Sequence, residues 1–230
     1  MKHLLLAAAL VLLPGSEGSA LERRAAHPWA GWVDGSWVRS EITSSAGGQM
    51  TTTQKLVSLG EDTYRLGTET TWQGGRTEQT EEHGYGLLGY PHTAPDGTLV
   101  GKQTLEIAGQ QLECEVWKVR WTEGGATFQA NAWVAPDLDH PVRVEQQGGE
   151  LSFELTVDDL EEWITIDRRK IRCVRYTGWT AYQGRRSAVT QWRSADIPGG
   201  HARTVTVVQT PEGKVQQENT VVEFRGERRR

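Results

Sequence analysis

The chain has 230 residues, with 25 Lys and Arg against 30 Asp and Glu, a net charge of −5 and 37% apolar residues. A surface with that balance repels polyanions, so nucleic acid is not an expected partner. Two cysteines are too few for a disulfide-built scaffold, and the length is enough to bury a core without one.

Residues 1–20 open with Lys2 and His3, continue through an apolar run at 4–13, and pass Pro14 and Gly15 into small residues ending at Ala20. That is the pattern of a secretory signal peptide, and its apolar run is too short for a bilayer-spanning helix. No later run is long enough either, so no transmembrane segment is expected. No cysteine follows the apolar run to carry a lipid anchor. The mature chain is therefore expected in the periplasm or outside the cell. Residues 21–31 read as a linker and 32–224 as one domain. Residues 225–230 carry four Arg and one Glu, a basic tail expected to fray into solvent.

Strand signals begin at Trp37, where Trp37, Arg39 and Glu41 alternate with Val38, Ser40 and Ile42. Gly47-Gly48 closes a hairpin onto a strand over 50–59, and a turn at 60–62 leads to one over 64–72. Threonines at 51, 52, 53, 63, 68, 70 and 71 suit a pleated surface. Gly74-Gly75 turns the chain into the polar stretch 76–83, the composition of a sheet edge. Residues 84–97, punctuated by Gly and Pro but containing Tyr85, Leu87, Leu88 and Tyr90, read as a flap or a packed connection.

From Gln103 onward a pattern recurs at a spacing of 59 residues. Leu105, Ile107, Leu112, Cys114 and Trp133 return as Ile164, Ile166, Ile171, Cys173 and Trp192, and Arg143 returns as Arg203 with one residue inserted. Segments 103–157 and 162–224 are thus expected to be a tandem β-repeat. Within the first, Leu112, Cys114 and Val116 share one parity and Trp117, Val119 and Trp121 the other, which requires a bulge near Val116 or a strand buried on both faces. Residues 158–162 could form one helical turn between the copies. With no long amphipathic helix and about thirteen short strands, the expected architecture is all-β: an antiparallel meander curled into a half-barrel or open barrel.

Signatures of catalysis are missing: there is no G-x-S-x-G, no H-E-x-x-H, no phosphate-binding Gly loop and no paired-cysteine motif. A non-enzyme without cofactors is expected. Asp137, Asp139 and His140 could hold a cation, but they sit in a Pro-bounded turn where Asp serves the backbone, so no metal site is expected. The ten tryptophans stand out. Most should fill the core, while Trp133 and Trp192 lie opposite the small apolar residues of their strands and are expected to line a second surface, and Trp117 is a further ligand-binding candidate. Arg143 and Arg203 could grip an anionic group of a ligand, or pair with Glu145 or a neighbouring acid. Cys114 and Cys173, a whole unit of strands apart, are expected to be free, buried thiols.

The stretch from Trp133 through Ala135-Pro136-Asp137-Leu138 to Pro141-Val142-Arg143 resembles a W-x-A-P-D-L-x-x-P-V-R-like motif of bacterial periplasmic β-proteins of unknown function. Their folds look like the curved sheets of the LolA and LolB lipoprotein carriers. That resemblance implies a binding protein holding an apolar or amphipathic ligand, lipid or lipoprotein-like, on a curved sheet. The alternative is a wall- or surface-associated module that recognises carbohydrate or protein through exposed tryptophans. Either way, the expected partner is an apolar ligand or a component of the cell envelope.

Overall fold

The computed structural model describes residues 27–61, 63–84, 97–123, 126–138, 140–148, 151–211 and 213–229. Thirteen strands run in sequence: β1 (Trp37–Ser44), β2 (Gln49–Leu59), β3 (Thr63–Trp72), β4 (Gly75–Gly84), β5 (Thr98–Ile107), β6 (Gln110–Glu123), β7 (Ala126–Val134), β8 (Pro141–Gly148), β9 (Leu151–Ile166), β10 (Arg169–Tyr182), β11 (Arg185–Arg193), β12 (His201–Thr210) and β13 (Gly213–Arg225). They form one antiparallel sheet in the order β4-β3-β2-β1-β13-β12-β11-β10-β9-β8-β7-β6-β5. The meander is interrupted once, because β1 pairs with β13, from Trp37 opposite Arg225 to Ser44 opposite Gln217. Strands consecutive in the chain, β4 and β5, consequently form the two edges. The polar edge expected at 76–83 is one of them.

This topology forces curvature. Thirteen flat strands would span about 58 Å at about 4.8 Å per step, whereas the thirteen residues between β4 and β5 reach about 49 Å at full stretch. The edges also run parallel to each other, so the end of β4 and the start of β5 lie at opposite ends of the strands. The curl shows in β9, which approaches both β13 and β5, each four places away in the strand order. The sheet is open, since β4 and β5 are not paired. The flap expected in the connection falls on 85–96, outside the described residues.

The buried residues gather toward the same end of the strands, in two clusters. One contains Val38 at the start of β1, Leu56 near the end of β2, Tyr64 and Leu66 on β3, Ile166, Ile171 and Cys173 where β9 meets β10, Trp192 at the end of β11, and Phe224 at the end of β13. The other contains Ile107 and Cys114 where β5 meets β6, Trp133 and Ala135 at the end of β7, Val142, Leu155, Val157, Tyr176 and Val189. The opposite ends are polar hairpins, where threonines face each other as at Thr52 and Thr70, whose hydroxyls lie 3.3 Å apart. Along β6 the buried side changes face: Cys114 is buried on one face and Val119 on the other. The extra residue near Val116 lies on the partner strand, between Leu99 and Gly101.

Three sequence expectations need correction. Residues 158–162 form no helical turn: β9 runs through them, with an irregular register opposite Cys173 to Tyr176, because Asp158 and Glu162 both bind Arg175 across the strand pair, at 2.9 and 2.6 Å. Residues 27–31 are not a loose linker, since Trp29 is in the first cluster and His27 is buried. Nor does the tail fray. Arg228 pairs with Asp196 at 2.9 Å and lies over Trp32, and Arg229 pairs with Asp34 at 3.0 Å and donates to the Trp32 carbonyl. The β1–β13 pairing brings the tail beside these acids.

Candidate functional site: two tryptophan–arginine stacks and an exposed hairpin face

Trp133 on β7 stands opposite Arg143 on β8, and the guanidinium carbon lies 4.9 Å from the ring centroid. The same guanidinium pairs with Glu145 on its own strand and with Glu154 of β9 at 3.0 Å. Trp192 on β11 stands opposite Arg203 on β12, again 4.9 Å from ring to guanidinium, and Arg203 Nε lies 3.0 Å from Glu218 of β13. The next strand repeats the relation, with Arg143 opposite Thr156 and Arg203 opposite Thr220. Burial opposes ionisation of Glu218, but the Thr220 hydroxyl and the Arg203 guanidinium together hold its carboxyl below the usual range.

The constellations differ at one point. Trp133 Nε1 donates to Gln103 at 2.8 Å, and Gln103 stands opposite Cys114. The residue opposite Cys173 is Glu162, which is turned to Arg175. The indole nitrogen of Trp192 is buried with no hydrogen-bond partner among the described residues. Both cysteines are free and buried. Burial raises the Cys114 thiol, while burial, Glu162 and Asp196 push the Cys173 thiol up to about 12. Neither supplies a thiolate at neutral pH.

Trp133 lies on the face opposite the small residues of its strand, whereas Trp192 shares its face with Ala188 and Thr190, and both rings are covered. They are 7% and 8% exposed and belong to the two clusters. A stacked arginine, itself neutralised by carboxylates, occupies the ring face that a sugar would need. Trp117 is on the other face, opposite Ala132, with Nε1 donating to Glu115 at 3.3 Å. The five candidate residues therefore form two separate braces and one outlier rather than a single site. Of the possible cation ligands, Asp139 lies outside the described residues.

The exterior carries two tryptophans that the sequence reading passed over, Trp72 at the end of β3, 42% exposed, and the more exposed Trp163. Trp163 on β9 is 56% exposed. It stands opposite Arg172, with Thr165 opposite Lys170 one pair further on. All four are exposed, whereas Ile164, Ile166, Ile171 and Cys173 face inward on the same hairpin. The signal was present as alternation: the apolar positions of 164–173 define the inner face, which leaves Trp163 outside.

The sheet defines an all-β protein of the curled, open-meander class. No family model matches the chain, and no curated protein matches it. Among solved structures it is similar to a proposed lipoprotein of Parabacteroides distasonis, with a TM-score of 0.42, 10% identity, and coverage of 87% of this chain and 99% of that one. It is also similar to a proposed exported protein with a YmcC-like fold from Bacteroides fragilis, with a TM-score of 0.36, 7% identity, and coverage of 84% and 96%. Likenesses of this size carry no assignment of activity.

Proposed function

We propose that the chain is an exported, non-enzymatic β-protein that acts as an interaction module of the cell envelope, meeting its partner through the outside of its sheet. One observation carries this reading. The tryptophans best placed to line an interior site are buried under ion-paired arginines, while Trp163 stands exposed on the outer face of a hairpin. Export rests on the leader pattern of residues 1–20, and the absence of a nucleophile–base arrangement in the sequence favours binding over catalysis.

The competing reading is an apolar or amphipathic ligand held in the curl of the sheet, and one experiment decides between them. The protein is purified from the soluble envelope fraction and measured by native mass spectrometry before and after organic extraction. The interaction-module reading expects the mass of the mature chain alone and no stoichiometric acyl lipid in the extract. Recovery of one lipid per chain overturns it in favour of a carrier.

A further inference from the structure

The β9–β10 hairpin reaches past both of its neighbours in the sheet. β8 pairs with β9 only from Thr156 back to Phe153, and β11 pairs with β10 only from Val174 onward. Beyond those points the hairpin uses one face to pack Ile164, Ile166, Ile171 and Cys173 against the first cluster. Its other face presents Trp163, Thr165, Lys170 and Arg172 to solvent, with Arg168 exposed in the turn. Arg168, Lys170 and Arg172 form no ion pair among the described residues. By contrast, Arg143, Arg175 and Arg203 each hold a carboxylate. Glu161 and Asp167 are the exposed acids at the margins of this face.

The β5–β6 hairpin is the internal control. Its positions pair in the same way, Thr104 opposite Glu113 and Glu106 opposite Gln111, where β9–β10 has Trp163 opposite Arg172 and Thr165 opposite Lys170. Both hairpins turn inward the same apolar and cysteine positions, Ile107 and Cys114 in one and Ile166 and Cys173 in the other. Packing therefore asks for neither an exposed indole nor unpaired cations on the outer face, since the β5–β6 hairpin does without both. Its outer face is acidic and polar, and its Lys102 is neutralised by Glu113 at 3.0 Å.

Resting on the interaction-module reading, we infer that the outer face of the β9–β10 hairpin is a docking surface for an anionic lipid bilayer. Cations that keep no intramolecular partner are available to phosphate head groups. An indole beside them suits the boundary between head groups and acyl chains, where an apolar body and a polar N–H are both accommodated. The cations and the indole lie on the side of the hairpin turned away from the core cluster that its other face packs against, which leaves them open to a flat surface.

The test uses the mature protein and sedimentation with vesicles of phosphatidylethanolamine and phosphatidylglycerol at a ratio of about 3:1, against vesicles of phosphatidylcholine alone. The proposal expects binding to the anionic vesicles only, weakened by salt. Lys170→Ala with Arg172→Ala should lower the partition coefficient about 25-fold, since each cation near an anionic surface contributes about fivefold. Trp163→Ala should also weaken it. Lys55→Glu with Lys214→Glu changes net charge more, at exposed positions elsewhere, and should leave most of the binding. Equal binding to both vesicle types, or equal losses in the two double variants, overturns the proposal. Absence of vesicle binding, with Trp163 and Arg172 instead required to retain a soluble anionic polysaccharide, overturns the membrane assignment and leaves the interaction-module reading intact. Recovery of bound lipid in the extraction experiment is the separate result that removes that reading.

Discussion

The guanidinium of Arg203 lies 4.9 Å from the ring centroid of Trp192 and reaches on to Glu218 at 3.0 Å, so one side chain joins three adjacent strands. The ring supplies buried area, while the arginine covers a face that burial alone leaves open. Trp192→Ala should destabilise by about 3–5 kcal/mol, the cost of an emptied large aromatic site. Arg203→Ala should cost less, about 1–2 kcal/mol, because a cation–π contact is worth about 0.5–2 kcal/mol and a half-exposed ion pair adds little. Arg203→Lys keeps the charge but loses the planar stack, and should fall nearer to alanine than to wild type. Urea unfolding of the three variants checks the order.

The parallel constellation at Trp133 and Arg143 allows a sharper comparison. Trp133 donates to Gln103, whereas Trp192 Nε1 has no hydrogen-bond partner among the described residues. Trp→Phe removes the indole N–H while keeping most of the apolar volume. At position 133 it removes the hydrogen bond to Gln103 and should cost about 1 kcal/mol more than at 192. Equal losses in thermal unfolding would contradict this assignment of partners.

Much of the fold was legible in the sequence because a period of two is a local property. The strand count, the turns at Gly47-Gly48 and Gly74-Gly75, the edge character of 76–83 and the face of Trp133 all follow from neighbouring residues. The pairing of β1 with β13 was not legible. Trp37 and Arg225 are partners, yet nothing local to either points to the other. The errors at 27–31 and 225–229 share that origin. Trp29 and Arg229 look like ornaments of a linker and a tail until β1 and β13 lie side by side. The burial of Trp133 and Trp192 was not legible for a different reason. Parity says which face a tryptophan is on but not whether a neighbouring strand supplies an arginine to cover it.

Thiol chemistry gives a prediction about accessibility. Cys114 and Cys173 are buried, and the Cys173 thiol is pushed up to about 12 by burial and the acids beside it. At pH 8 neither should react with a thiol reagent in the native protein on a timescale of minutes, and two should titrate per chain after denaturation. Cys173→Ser puts a stronger hydrogen-bonding group in the same space and should cost about 1–3 kcal/mol, more than Cys173→Ala if the hydroxyl goes unpaired.

Gly178 in β10 sits where no other residue fits. A Cβ there would meet the carbonyl oxygen of Glu154 at 1.9 Å and the Leu155 Cα at 3.1 Å, both backbone atoms of β9 that cannot rotate aside. Gly178→Ala should push β9 and β10 apart and destabilise by more than about 3 kcal/mol, beyond the usual range for a surface strand. Gly31→Ala, with nothing within 4 Å of the added carbon, is the matched control and should change the midpoint little.

His27 makes the pH dependence of stability predictable in sign. It is buried with its ring centroid 4.3 Å from that of Tyr64, and Tyr64 in turn stacks on His83 at 5.3 Å. Burial, with a smaller contribution from His83, lowers its pKa from 6.5 to about 4. The folded protein therefore holds His27 neutral, while the unfolded chain takes up a proton as the pH drops below about 6.5. Stability from this group is fully present above about pH 6.5 and is lost progressively between there and about pH 4. The loss totals about 3 kcal/mol, from about 1.4 kcal/mol per pH unit. His27→Gln removes the titrating group. The variant should unfold more easily than wild type at pH 8 because the ring contact is lost, and the gap should narrow steadily by pH 5. Urea midpoints at the two pH values read the effect directly, and a gap that stays constant or widens toward pH 5 would show that His27 is not the group responsible.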